Sequence, residues 1–401
     1  MENNTKWRGR FLTIAIGQAI SLIGSSAVQF ALIWWLAEQT ASPMIMGVAG
    51  LAAYLPMAFL SPFAGVAADK YSRKIICITA DLSMGLAALA AAFLLNAITF
   101  PIWAVLVILF VRGIGGTFHQ PAIQSIIPQL VPAEELVRVN GWMQLMTAGS
   151  FILGPVIGAA LYAALPMSLV LLTDVIGAIF ASAALAAVKI PRLENHERHK
   201  VGFFAHFKEG IQVYREDKKL STLIIAEVLC MLFFAPLSTF YPLMTSDYFD
   251  LSAMYGSIVE VAFAAGMMIA AVLFGSVLKI KNKIRTSYLG LWGIGVATTI
   301  CGLMPATFVG WIIFAGTCAA MGAFGNVHGI PLTAYIQETV APEKMGRAFS
   351  LIGQVTAFTM PIGLLISSPV AEKMGVHMWF LISGLGILLI LVILIGIGGL
   401  L

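Results

Sequence analysis

Ala64-Gly65-Val66-Ala67-Ala68-Asp69-Lys70-Tyr71-Ser72-Arg73-Lys74-Ile75-Ile76 is a short charged hinge between two long apolar runs. Residues 44–68 before it carry no charged side chain, and residues 75–96 after it carry only Asp81. Each run is long enough to cross the roughly 30 Å hydrocarbon core of a bilayer as a helix. No water is present there to pair with peptide groups, so each run must satisfy its own backbone as a helix.

The same alternation recurs on both sides of the hinge. Apolar runs predict helices near 11–37, 44–68, 75–96, 101–127, 137–163 and 167–188, then near 220–246, 254–279, 286–305, 308–336, 345–368 and 375–398. The fold class expected is an all-α membrane protein with twelve transmembrane helices. Composition agrees: 60% of residues are hydrophobic, 10% are charged, and mean hydropathy is +0.94. A water-facing domain carries about 25% charged residues, so this chain lacks the charge to cover itself in water. The first run, Phe11–Leu36, is too long for a signal-peptide core and reads as an uncleaved helix. Cys77, Cys230, Cys301 and Cys318 all lie inside apolar runs, with no metal-ligand spacing, and read as reduced packing residues.

Lysine and arginine set the orientation. All but two of the 23 fall in the N-terminal tail, the connections after helices 2, 4, 8 and 10, or the segment 189–219. The exceptions are Lys373, in an opposite loop, and Arg112, inside a helix. The basic side is expected to be cytoplasmic, with both termini there, in a bacterial inner membrane. Residues 189–219 also carry five acids and three histidines. The stretch Phe204-Ala-His-Phe-Lys-Glu-Gly-Ile-Gln-Val-Tyr214 has the mixed character of a short surface helix. Its plain role is a cytoplasmic linker.

The chain is duplicated at an offset of 210 residues. Gly65 matches Gly275, Val131-Pro132-Ala133-Glu134 matches Ala341-Pro342-Glu343-Lys344, and Gln144 matches Gln354. His119 lies one residue off register from His328. The expected domains are a six-helix bundle over 1–188, the linker 189–219, and a second bundle over 220–401. Parallel six-helix repeats around a central site are one known transporter architecture, worked by rocking one bundle against the other.

The hinge Gly65–Lys74 resembles the helix 2–3 signature of the major facilitator superfamily. Arg112-Gly-Ile-Gly-Gly116 is similar to that family's mid-helix arginine motif, and Gly149-Ser-Phe-Ile-Leu-Gly154-Pro155-Val-Ile-Gly158 to the motif of its antiporters. Gly17-Gln18-Ala-Ile-Ser21-Leu-Ile, Lys74-Ile-Ile-Cys-Ile-Thr-Ala-Asp81-Leu, Thr173-Asp174-Val-Ile-Gly-Ala and Gly346-Arg347-Ala-Phe-Ser-Leu-Ile-Gly353 resemble bacterial macrolide-efflux proteins and the proton-linked drug exporters around them. The resemblance covers essentially the whole chain and implies a drug:proton antiporter. It departs at Lys279, which stands where the first half has Asp69.

A charge at mid-membrane costs at least about 2.5–3.5 kcal/mol on insertion scales, so embedded charges are candidate functional groups. Arg112 cannot lose its proton; it either holds and releases an acidic proton carrier or sits in a fixed ion pair. Glu227 shares a helix face with Met231, Phe234, Ser238, Tyr241 and Thr245, and Glu260 shares one with Gly256, Ala264 and Met267. Each glutamate reads equally as a proton carrier or as part of a structural pair. Asp174, in a peripheral helix by analogy, is a fourth coupling candidate. Asp81, with Gly65, Asp69, Arg73 and Lys74, is expected to form a cytoplasmic latch favouring one conformation. Gln18, Ser21, Ser25 and Gln29 line one face of helix 1. With Gln144, Phe234, Ser238, Tyr241, Asn326, His328 and Gln354 they are candidates for a substrate cavity, or for hydrogen bonds between helices. Each histidine reads first as a hydrogen-bonded helix residue.

No phosphate-cradling loop and no His-Glu-x-x-His metal site appears, so neither an enzyme nor a bound cofactor is expected. Energy then comes from a gradient: one proton moving down about 100 mV yields roughly 2.3 kcal/mol, enough for about a 50-fold substrate gradient. The expected partners are a small molecule, protons and the bilayer, with no nucleic acid, for a monomer. The function expected is proton-coupled efflux of lipophilic or cationic drug-like molecules, macrolides among them. The alternatives are export of an endogenous metabolite such as a siderophore or lipid, uniport, or a receptor or accessory role.

Overall fold

The computed structural model describes residues 3–97, 101–132, 135–190, 217–276, 280–340 and 342–398. Most of the 189–219 segment, including its expected surface helix, lies outside the described residues. So do the side chains of Asp69 and Gln144.

Every described element is helical. The helices are α1 Asn3–Thr40, α2 Pro43–Lys70, α3 Arg73–Ala97, α4 Ile102–Leu130, α5 Leu136–Ala164 and α6 Met167–Ala187. After the linker come α7 Lys218–Phe234, α8 Leu237–Leu243, α9 Ala253–Ser276, α10 Lys283–Leu303, α11 Phe308–Thr339, α12 Pro342–Met374 and α13 Val376–Gly398. Among the described residues, 12 spans are long and apolar enough to cross a membrane.

Local chemistry sets the ends. Asp217 accepts from the amides of Lys219 and Leu220 to cap α7, Asn282 caps α10 and Thr307 caps α11. Each satisfies one or two of the four amides a helix start leaves open. Gly375, at φ 93°, supplies the left-handed turn between α12 and α13.

The seventh span, predicted as one helix, is broken. It runs Lys218–Tyr248, but α7 stops at Phe234, α8 is a seven-residue helix, and Met244–Tyr248 winds as a π-turn. Pro236 and Pro242 have no N–H to donate, which removes two rungs of the ladder. The backbone carbonyl of Leu232, one turn before Pro236, is left to face Gly363 of α12, where any side chain would collide with it.

The chain folds as two compact units. One comprises Met1–Leu36 with Ala52–Arg198, the other Ala37–Leu51 with His199–Leu401. In the first, α3 packs against α4 and α6, and its core gathers Phe11, Ile14, Cys77, Ile123, Ile126 and Leu185. In the second, α11 packs on α9 and α10, and α7 on α12 and α13, around Leu223, Cys230, Leu291, Ile294, Ile387 and Leu391. Large side chains stand outside instead, among them Phe63, Leu86, Phe93, Leu145 and Phe151. That inversion suits a hydrocarbon solvent, where exposed apolar surface carries no penalty.

The turn between α1 and α2 is held within the second unit. One carboxylate oxygen of Glu372, at the end of α12, accepts at 2.8 Å from Ser42 Oγ and at 2.8 Å from the amide of Met44. The acid thereby caps the first turn of α2.

Candidate functional site

In the first unit, α1, α4 and α6 meet at one buried charge network. Arg112 of α4 donates from Nη1 to Asp174 Oδ2, from Nη2 to the Ser25 carbonyl at 2.7 Å, and from Nε to Gln29 Oε1 at 3.3 Å. Ser25 Oγ completes the ring by donating to Asp174 Oδ1 at 2.6 Å. Both oxygens of Asp174 are engaged, and its side chain is only 3% exposed. Arginine and carboxylate thus neutralise each other where water is excluded. Asp174, placed by analogy in a peripheral helix, is here turned inward against α1 and α4. Ser25 and Gln29, candidate cavity residues, join the same network.

A second pair lies nearby in sequence. His119 Nε2 of α4 is 3.4 Å from Asp81 Oδ1 of α3, and Asp81 Oδ2 has no hydrogen-bond partner among the described residues. Asp81 therefore faces a histidine of its own unit. The other latch candidates serve helix ends. Arg73 donates from Nε to the Ala68 carbonyl at 3.0 Å and from Nη1 to that of Ser125 at 2.9 Å. Lys74 Nζ reaches the carbonyls of Ala186 and Val188, at 2.8 and 3.0 Å, at the end of α6. Cations are favoured there because the last carbonyls of a helix carry partial negative charge. None of the described residues would lie within 4 Å of a Cβ at Gly65.

Two glycines of the antiporter-like motif are contact residues. Gly154 backs onto Ser26 and Gly158 onto the Ala27 backbone, so α5 approaches α1 more closely than a side chain permits. Pro155 sits inside α5 between them, and none of the described residues would lie within 4 Å of a Cβ at Gly149.

In the second unit, Glu227 of α7 faces His328 of α11, with Oε1 4.0 Å from Nε2. The other ring nitrogen, Nδ1, contacts Ser287 of α10 at its Oγ, 2.7 Å away, and at its carbonyl, 3.2 Å away. Neither Glu227 Oε2 nor His328 Nε2 has a hydrogen-bond partner among the described residues. Glu260 lies on α9, one turn from Phe263. Phe263 belongs to an aromatic cluster with Phe234 and Tyr241, and Tyr241 also meets Phe314 and Phe380.

Several candidate cavity residues are closed in: Gln18 is 2% exposed, His328 3% and Tyr241 5%. Asn326 donates from Nδ2 to the Met267 carbonyl at 2.6 Å, joining α11 to α9. Ser238 is exposed, while Phe234 and Gln354 are half-buried. Sequence reasoning passed over Ser287 and Glu372. Ser287 is one of several hydroxyl residues in its helix, beside Thr286 and Tyr288, and Glu372 has a sequence signal only in its position next to a span end.

The family model of the Major Facilitator Superfamily matches residues 14–364. This chain belongs to the Major Facilitator Superfamily. It is 36% identical over 394 residues to macrolide efflux protein A of Streptococcus pyogenes, covering 98% of this chain and 97% of that protein. A macrolide efflux protein A of Enterococcus faecalis is 34% identical over 80% of this chain, and the multidrug efflux pump Tap of Mycolicibacterium fortuitum is 24% identical over 96% of this chain and 95% of its own length. Among solved structures, a bacterial homologue of the iron transporter ferroportin superposes with a TM-score of 0.73 at 16% identity, covering 96% of this chain and 98% of its own. A POT-family peptide-complex structure superposes at 0.75 with 12% identity over 98% of this chain and 96% of that one. As a superfamily member with twelve apolar spans, the chain is a multi-pass membrane transporter of small molecules, not an enzyme.

Proposed function

We propose that this transporter exports lipophilic, macrolide-type molecules in exchange for protons, by alternating access between two six-helix halves. The observation that carries proton exchange is Glu227: a carboxyl group in a membrane span, 15% exposed, with no lysine or arginine paired to it among the described residues. A group so placed is cheap to keep when protonated and costly when charged, which is the property a proton carrier uses. Glu260 is a second carrier candidate on α9, and Arg112–Asp174 the charge pair that a coupled cycle would have to open. The macrolide class rests on likeness to the efflux proteins over nearly the whole chain. The basic side faces the cytoplasm, in the inner membrane of a bacterium, and the protein works as a monomer. Arg73, Lys74 and Asp81, with Gly65 and Asp69, act as its inner-side latch.

Reconstitution in proteoliposomes tests this reading. An imposed pH step should drive erythromycin against its gradient, and adding erythromycin to purified protein should release protons. Glu227→Gln or Glu260→Gln should abolish that release. Uphill transport that survives both substitutions would remove these carboxyls as carriers.

A further inference from the structure

We propose that the proton site is a pair rather than a single carboxyl: one proton is shared between Glu227 and Nε2 of His328, with Ser287 as the residue that positions the ring. This rests on the proton-exchange reading above.

The ring's tautomer follows from its neighbours. The Ser287 carbonyl can only accept, so its 3.2 Å contact with Nδ1 requires a hydrogen on that nitrogen. The single hydroxyl hydrogen of Ser287 is directed at the His328 carbonyl, 3.0 Å away, which leaves Ser287 Oγ to accept from the same Nδ1–H. Nε2 then carries a lone pair, and that lone pair faces Glu227. The side chain of His328 is 4% exposed, and Ser287 is fully buried. Gly290, one turn after Ser287, permits the arrangement: a Cβ there would lie 2.8 Å from the His328 Cα, so only glycine lets α10 and α11 come this close.

With one proton, the pair is neutral in either form, Glu–OH beside the lone pair or carboxylate beside imidazolium. Transfer breaks the O–H bond of Glu227 and forms N–H at Nε2, with no change in total charge. Without the proton the pair holds one buried negative charge. A proton is therefore retained while the site is closed and leaves to water when it opens. The 4.0 Å separation exceeds hydrogen-bond length by about 1 Å, a gap that a small shift of α7 against α11 closes.

No other ionised group described nearby competes. Cys230 on α7 and Tyr288 on α10 share the surrounding core, and neither ordinarily ionises near neutral pH. Tyr335, two turns along α11, is bonded to Asp217 at 2.8 Å, and Lys283 to Glu338 at 2.9 Å. The ionisable residues of α12, Glu343, Lys344, Arg347, Glu372 and Lys373, cluster at its two ends. The His377 of α13 stacks on Tyr248, 4.5 Å between centroids.

Two measurements decide it. In the first, proton release per erythromycin bound is followed against pH for wild type, His328→Gln and Ser287→Ala. At least a tenfold fall in that ratio is expected for His328→Gln, and a displaced pH profile for Ser287→Ala. A histidine that only holds helices together would instead lower binding and release in proportion, leaving the ratio unchanged, and that result overturns the proposal. In the second, nitrogen NMR of histidine-labelled protein in nanodiscs, assigned by subtraction with His328→Gln, reads Nε2 directly. An unprotonated Nε2 whose titration moves in Glu227→Gln supports the shared proton; a titration indifferent to that substitution refutes it. If wild type releases no protons at all, the exchange reading falls by itself, and the nitrogen signal still rules on the pair.

Discussion

Both units bury an acid in a membrane helix, and the two acids face different partners. In the first, Asp174 meets Arg112, with both carboxylate oxygens engaged. Guanidinium keeps its proton at any accessible pH, and the contacts of Arg112 with Asp174, Ser25 and Gln29 brace α1, α4 and α6 against one another. In the second, Glu227 meets His328 across 4.0 Å, and an atom on each side has no hydrogen-bond partner among the described residues. Imidazole, unlike guanidinium, can be neutral or charged, and on the proposed reading this pair shares one proton. Asp174 lies in the sixth span and Glu227 in the seventh, so the two acids are not repeats of one position, and what distinguishes them is the residue each one faces.

Breaking the brace should have the largest effect. Arg112→Met strands a buried carboxylate, and removing one partner of such a pair costs about 3–5 kcal/mol, read as a lowered midpoint of thermal unfolding in detergent. The double variant Arg112→Met with Asp174→Leu should recover most of that loss, since no charge is then left unpaired. A double variant as unstable as the single one would assign the loss to packing. Next comes the cap on α2. Glu372→Ala removes the acceptor for Met44 N and Ser42 Oγ, with an expected cost of about 0.5–2 kcal/mol, visible as faster hydrogen exchange in the first turn of α2. Lys74→Ala should cost less, about 0.3–1 kcal/mol, with exchange quickened at the end of α6, where its two carbonyl contacts lie. The smallest change in stability should come from Glu227→Gln. It makes no cavity, breaks no hydrogen bond among the described residues and strands no charge, so its midpoint should stay within about 0.5 kcal/mol of wild type while proton release is lost. A stability loss comparable to that of Arg112→Met would show that Glu227 is a brace as well.

The spans were legible because their signal is local. A run of apolar residues between charged hinges must be helical in lipid whatever its neighbours, and α2 to α6 fall where hydropathy placed them, give or take a turn, while α1 begins about two turns before its apolar run, at Asn3. The seventh span was read as one helix although Pro236 and Pro242 were in plain view. Prolines are common in membrane helices, and whether one breaks the helix depends on what takes up the freed carbonyls. Here Gly363 of α12 offers the space that lets Leu232 keep its carbonyl uncovered. The candidate charges were also legible, since their cost in hydrocarbon marks them out. Their partners were not: Asp174 lies 62 residues from Arg112, and Ser287 lies 41 from His328.

Sequence alone determined that this chain is a twelve-span helical membrane protein with a few embedded charges that stand out as candidates, because the penalty for charge and for unpaired backbone in hydrocarbon acts residue by residue. Only the tertiary structure decided which acid faces an arginine and which faces a histidine. Pairing depends on how helices distant in the chain rotate and approach, and that is set by small residues such as Gly290 and Gly158, which carry no charge signal of their own.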